Sequence, residues 1–273
     1  QANLLLPPLS KNKEEKIFYG VPKNNNFVNR IEGNIYEEYA ETQKKEEIVR
    51  ILAPIVPKDI FCIGLNYKKH AEESRAKIPD YPVVFMKNTG SINNPKDSIR
   101  IPKALKSSKV DYECELAVVI KKECYNVKRS DAYNYVLGYT CANDVSARDW
   151  QGEFGGGQWV RGKTFATFCP IGPSIVTHEE IVDPHNLKIK TVLNQKEMQN
   201  WNTNDMIFDI PYLIEFLSGS TILRPGTLIL TGTPHGVGAA RKPQVFLKDG
   251  DQVKIEIEKI GSLENGVKDE IDE

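Results

Sequence analysis

The sequence predicts a β-rich α+β protein: a mixed β-sandwich or roll with short helices. Three observations point there. The apolar runs are strand-sized, as in Ile60–Gly64, Val83–Lys87 and Val110–Ile120. Only one segment, Asp209–Gly219, carries full helix punctuation. No β-α-β alternation runs through the chain, which argues against a doubly wound sheet.

Composition narrows the function. The chain has 273 residues, enough for one large core or for one domain with a small appendage. Its 36 basic and 37 acidic residues give a net charge of −1, so there is no electrostatic case for nucleic acid or an anionic membrane. A small-molecule partner is expected. No apolar run approaches the ~20 residues of a membrane span, and a soluble protein is expected. Cys62, Cys114, Cys124, Cys141 and Cys169 lack C-x-x-C pairing and sit mostly in apolar runs. They read as reduced core residues of an intracellular protein. The chain begins at Gln1 rather than Met, so a processed or trimmed start is expected.

Residues 1–57 read as a small, divergent β region and linker, with 58–273 as the main domain. The first part has a Pro7-Pro8 start, strand-like Ile17–Tyr19 and Phe27–Ile31, and an Asn24-Asn25-Asn26 turn. Residues 41–50 are polar enough for a solvated connector, and Pro54 and Pro57 punctuate the entry to the main domain. After the buried strand at 60–64, residues 65–74 read as a marginal helix with Asn66 as N-cap. His70 and Glu73 fall on one of its faces, a spacing that most often means only a surface ion pair.

Val83–Lys87 is a strand ending in a lysine, and strand signal returns over 99–120 and 133–141. Residues 152–157, Gly-Glu-Phe-Gly-Gly-Gly, predict a mobile loop, either a hairpin or a flap beside a site. The helix at 209–219 has Asp209 as N-cap, Pro211 in its first turn, Leu213, Phe216 and Leu217 on one face, and Gly219 as its stop. Thr231–Gly238 superficially resembles a dinucleotide loop. Pro234 and strand-like Val245–Leu247 leave no helix N-terminus for a pyrophosphate, so that reading is rejected. Val253, Ile255 and Ile257 alternate as a half-buried strand.

The chemistry gathers at Val110–Ile120. In an extended chain Glu113 and Glu115 point to one face, with Cβ atoms about 7 Å apart. Such a pair is common on a wet strand face, but this one adjoins an apolar run, where two carboxylates need a compensating charge. A third carboxylate, Asp144, ends a second strand-like run and is followed by Ser146, Arg148, Asp149 and Gln151. An all-oxygen donor set suits Mg²⁺, Mn²⁺ or Ca²⁺ over zinc, and Mg²⁺ keeps positions open for water or substrate.

From about Ile51 onward the chain resembles the fumarylacetoacetate hydrolase family. The resemblance rests on Gly64-x-Asn66-Tyr67-x-x-His70-x-x-Glu73, Glu113-x-Glu115, Asn143–Gln151, Gly162-Lys163-x-Phe165 and Leu230–Gly238. Ala147–Gln151, Asp183–Lys188 and Asn202–Asn204 are most similar to the domain-containing protein 2 branch, whose members look like oxaloacetate tautomerases. The resemblance implies the fold of the family's C-terminal domain and a Mg²⁺ (or Mn²⁺ or Ca²⁺) held by Glu113, Glu115 and Asp144. It further implies a lid dyad of His70 and Glu73, an active-site Lys163, and a pocket lined by Lys87, Arg148, Gln151 and Thr233.

The implied reaction is on a small 2-oxo acid through a metal-stabilised enolate, foremost keto–enol tautomerisation of oxaloacetate. Hydrolysis of acylpyruvate- or fumarylpyruvate-type diketo acids and oxaloacetate decarboxylation use the same enolate and stand as alternatives. A non-catalytic subunit of a larger complex is the competing class. The family also implies a homodimer, with Trp201 as an exposed aromatic for the interface, and a mitochondrial matrix location, with the cytoplasm as alternative. Residues 66 to about 80 are expected to be a mobile lid that closes over a bound substrate.

Overall fold

The run Leu116–Ile120 is apolar throughout because the strand is buried on both faces. Cys114, Leu116, Val118 and Ile120 pack into one core, whereas Ala117 and Val119 pack into a second on the opposite side. The computed structural model describes residues 5–6, 9–12, 16–23 and 27–271. Within them this strand lies near the middle of an eight-stranded mixed sheet. Its antiparallel neighbours are Val136–Asn143 and Leu228–Leu230; the latter runs parallel to Ile60–Gly64, and Val83–Lys87 closes that edge.

A second sheet, of five strands, is ordered Ile99–Ile101, Gly261–Asp269, Gln252–Ile257, Lys188–Leu193 and Lys196–Asn202. Its inward side chains, including Ile189, Val253, Ile255 and Ile257, fill the first core together with helix α4 (Ile210–Ser218). The fold is the mixed, β-rich sandwich that the sequence predicts. Three other short helices are α1 (Lys68–Glu73), α2 (Arg148–Gln151) and α3 (Val160–Lys163). Among the described residues no helix is long and apolar enough to cross a membrane.

The N-terminal region contributes a third sheet, ordered Tyr39–Glu47, Phe27–Gly33, Ile17–Pro22, Leu9–Lys11 and Arg50–Ile51. Ile31 and Ile35 join Ala53 and Ile55 in the second core, against Ile60 and Cys62 of the main sheet. Residues 41–47 are therefore strand, not connector. The strand lies at a sheet edge with most of its side chains in water, so charge is tolerated there and the hydrophobic signal is lost. The Pro7-Pro8 start and the Asn24–Asn26 turn lie outside the described residues.

Four local expectations are corrected. Asn66 is not the N-cap of α1: Tyr67 holds that position without a side-chain cap, and the Asn66 amide is used elsewhere. In α4, Asp209 does cap the Tyr212 N–H and Gly219 ends the helix, but Phe216 turns outward to stack with Tyr81 and Tyr212. Ile210 and Ile214 join Leu213 and Leu217 on the buried face. Val245–Leu247 is not a strand; its N–H groups reach Gly238 O and Val110 O singly. Trp201 is half-buried, edge-on to His235 and packed on the first core, so it is not an exposed interface aromatic.

Candidate active site

The central strand carries its carboxylates to the end of one face. Glu115 has the same parity as Ala117 and Val119, so it emerges where the second core stops. Glu113 lies just before the regular strand. It is fixed by Asn143, whose side-chain oxygen accepts the Glu113 N–H at 3.0 Å, and by the Asp144 N–H donating to Glu113 O at 2.9 Å. This pairing sets Asp144 beside the two glutamates. One ligand-type oxygen from each of Glu113, Glu115 and Asp144 lies within 4.8 Å of the others, and all three residues are buried.

Cations surround two of these carboxylates. Lys163, from α3, donates to Glu113 Oε2 and Asp144 Oδ2, each at 2.8 Å. Lys87 donates to Asp144 Oδ1 and, at 3.1 Å, to Val145 O. Arg148 Nη1 lies 2.7 Å from Glu113 Oε1. Burial works against ionised Glu113, yet Lys163 and Arg148 outweigh it and hold the carboxyl well below its ordinary range. Burial likewise disfavours charged Lys163, but Asp144 and Glu113 hold its pKa above the ordinary value.

Glu115 differs. It accepts one backbone hydrogen bond, from Gly232 N at 2.7 Å, and among the described residues forms no side-chain ion pair, Lys163 acting on it only from a distance. Burial, then Asp144 and Glu113, push its carboxyl well above the usual range. A buried acid crowded by two carboxylates, with oxygen donors converging beside it, fits a hard divalent cation. The residues present thus fit the metal that the sequence implies.

A cavity of about 450 Å³ opens over this cluster. His70, Glu73, Glu113, Glu115, Asp144, Arg148, Gln151, Lys163 and Thr233 all line it. Lys87 does not: its side chain is fully buried and paired with Asp144. Thr233 lines the cavity with its hydroxyl hydrogen already committed. Oγ1 donates to Cys114 O and accepts from Gln199 Nε2, each at 2.9 Å, so towards a ligand it can only accept.

His70 and Glu73 pair across one turn of α1. His70 Nδ1 and Glu73 Oε2 are 3.4 Å apart, and the Gly236 N–H reaches both Glu73 oxygens at 3.0 Å. Gly236 has φ +98°, a left-handed conformation that lets the loop present this N–H. Burial raises the Glu73 pKa, but the His70 and Gly236 contacts outweigh it and leave the acid below its usual value. Asn66 anchors the start of the segment: its Nδ2 donates to Thr231 O at 2.7 Å and Phe208 O at 3.0 Å, and its Oδ1 accepts from Phe208 N at 2.8 Å.

Residues 59–268 match the fumarylacetoacetate (FAA) hydrolase C-terminal family. The chain belongs to the fumarylacetoacetate hydrolase family. It is 52% identical over 231 residues to a fumarylacetoacetate hydrolase domain-containing protein 2 homolog of Dictyostelium discoideum, covering 81% of this chain and 75% of that protein. It is 50% identical to the mitochondrial oxaloacetate tautomerase of Xenopus laevis, covering 80% and 68%. Among solved structures, a 5-carboxymethyl-2-hydroxymuconate delta-isomerase from Mycobacterium smegmatis superposes with a TM-score of 0.85 at 33% identity, over 98% of this chain and 100% of that one. A fumarylacetoacetate hydrolase from Exiguobacterium antarcticum gives 0.85 at 32%, over 97% and 100%. The protein is an enzyme of this family.

Sequence reasoning passed over two supports of the fumarylacetoacetate hydrolase site. Asp111 accepts from Arg148 Nε at 2.9 Å, Gly238 N at 2.8 Å and Ala239 N at 2.9 Å, which ties Arg148 to the 236–240 loop. Gln199, from the second sheet, accepts from Cys114 N and donates to Thr233 and Pro234. Asp111 sits two residues before Glu113 and carries a signal only in retrospect. Gln199 lies in a polar run without any.

Proposed function

We propose that this enzyme interconverts the keto and enol forms of oxaloacetate with Mg²⁺ held by Glu113, Glu115 and Asp144. The carrying observation is that Glu115, buried and without an ion pair among the described residues, lies beside two other carboxylates in a cavity also lined by His70, Lys163 and Arg148. Relatives at 47–50% identity are named oxaloacetate tautomerases, which supports this choice of reaction. Bound Mg²⁺ supplies Lewis acidity that favours charge on the 2-oxo oxygen over the neutral carbonyl. Mn²⁺ or Ca²⁺ suits the same donors.

This chain's own residues do the rest. Lys163 is held charged and offers a donor towards an enolate oxygen, while its other hydrogens stay on Glu113 and Asp144. Arg148, braced by Asp111, and Gln151, which accepts from Arg148 Nη1 at 2.9 Å, receive a substrate carboxylate. His70, oriented by Glu73, moves the proton at C3 of the substrate. Lys87 holds Asp144 in place and does not meet the substrate. Residues 66–80 form a lid over this chemistry. We further propose a homodimer and, from the names of the relatives, a mitochondrial location.

A panel of oxaloacetate, acylpyruvates and fumarylpyruvate, assayed with Mg²⁺ and with EDTA, tests the reading. Enol-to-keto conversion of oxaloacetate should exceed carbon–carbon cleavage of every diketo acid. Faster release of pyruvate from an acylpyruvate would instead make the enzyme a hydrolase, and pyruvate and CO₂ from oxaloacetate a decarboxylase. No turnover of any substrate, together with stoichiometric co-purification in a large complex, would leave the structural-subunit reading. Light scattering tests the dimer.

A further inference from the structure

We propose that the same cavity also takes 2-oxo acids whose far end is apolar, arylpyruvates above all, and interconverts their enol and keto forms. This rests on the 2-oxo acid reading and extends it to a second substrate class. At about 450 Å³ the cavity is of the size that encloses drug-sized ligands, well beyond the needs of a four-carbon acid. Its two lining cations, Lys163 and Arg148, are already bound to Glu113, Asp144 and Asp111. Beside the polar groups of the site, the cavity is also lined by Ile63, Leu65, Phe85, Trp159 and Val237.

The aromatic part of this wall begins at the charged cluster. Lys163 Nζ stands 5.0 Å from the centre of the Phe85 ring, and Trp159 meets Phe85 edge-on at 5.5 Å and 66°. The indole is seated on the backbone of Gly64, where a Cβ would fall 2.3 Å from its ring carbon. Any side chain at position 64 would therefore displace it. An indole fixed in this way offers an edge or face to an aryl ring without losing rotamer freedom on binding. A 2-oxo acid whose acid end is received by Arg148 and Gln151, as in the proposed function, is free to extend its third carbon and substituent towards this wall.

The chemistry requires no added reagent. In ketonisation of an enol-arylpyruvate the C2=C3 double bond becomes single, C3 gains one proton, and the C2 hydroxyl loses one as its oxygen becomes the carbonyl. One proton enters and one leaves.

The test follows the absorbance of enol-phenylpyruvate with Mg²⁺-loaded enzyme, with oxaloacetate in parallel. Expected is saturable loss of the enol above the uncatalysed rate, and competition of phenylpyruvate with oxaloacetate. In Trp159→Ala the ratio of kcat/KM for enol-phenylpyruvate to that for oxaloacetate should fall by roughly tenfold, and Trp159→Phe should restore most of it. Wild-type enzyme that turns over oxaloacetate, but neither turns over nor is inhibited by phenylpyruvate, overturns the inference and leaves the proposed function standing. Failure with both substrates overturns both. Equal losses for the two substrates in Trp159→Ala would make the indole a structural support and also overturn the inference.

Discussion

The two walls of the cavity are built on different terms. The wall bearing Glu113, Glu115 and Asp144 grows out of the central sheet, its side chains are buried, and Lys163, Lys87 and Arg148 cross-link two of its carboxylates. The opposite wall is α1, six residues long, with Ala71 as its one buried residue. It hangs from Asn66 at one end and from the Glu73–Gly236 contact at the other. The proposed metal site needs fixed donors, and the sheet offers them. In the proposed mechanism a proton-transfer group that must admit substrate needs an element that opens at small cost, and a short helix held by a few polar contacts suits that role.

Substitutions on the sheet wall should be the more severe. Glu115→Ala should abolish Mg²⁺ binding measured by calorimetry; unchanged affinity would move the metal elsewhere. Glu115→Gln sharpens the point, since it keeps an acceptor for Gly232 N but removes the crowded charge. Its metal-free melting temperature should equal or exceed that of wild type, while the rise produced by Mg²⁺ disappears. His70→Ala, on the other wall, should lower turnover by ~10²- to 10⁴-fold and leave Mg²⁺ affinity nearly unchanged, because among the described residues His70 pairs with Glu73 and forms no hydrogen bond or ion pair with the three acids. A parallel loss of metal affinity would place it in the metal site.

Lys87→Met sits behind the sheet wall and removes one partner of a fully buried ion pair. It should cost about 3–5 kcal/mol in chemical denaturation. A loss of substrate affinity at unchanged stability would instead return Lys87 to the cavity. Asn66→Ala should cost less, ~1–3 kcal/mol for the polar groups it leaves behind. Its signature is local: faster amide exchange over residues 67–76, with Cys114–Ile120 unaffected. The smallest effect is expected from ligand. Oxalate plus Mg²⁺ should slow exchange across residues 66–80, and exchange that is already slow without them would make α1 a fixed wall.

The same contrast explains what was legible in the sequence. Glu113, Glu115 and Asp144 could be found because carboxylates beside apolar strand-like runs violate the strand pattern, and those same apolar runs also gave the sheet. The dyad His70–Glu73 was visible as spacing and became specific only through the family resemblance. Lys87 was legible only as the end of a strand, because a strand-terminal lysine carries no sign of which way its amine turns, here onto Asp144. The strand Tyr39–Glu47 was hidden because an edge strand in water needs no apolar face, and Phe216 because helical periodicity cannot weigh a stack with Tyr81 against the core. Asn66 and Gln199 act by bridging backbone groups far apart in sequence, where local pattern has nothing to read.

The measurement closest to the central claim is the rate of oxaloacetate ketonisation by enzyme stripped with EDTA and then titrated with Mg²⁺, with Glu115→Gln alongside. The rate should fall to the uncatalysed value on stripping and return in full at saturation with one ion per chain, while Glu115→Gln stays at baseline throughout. Full activity in the stripped enzyme, or a Glu115→Gln response to Mg²⁺ matching wild type, would contradict a metal-dependent site on these three carboxylates.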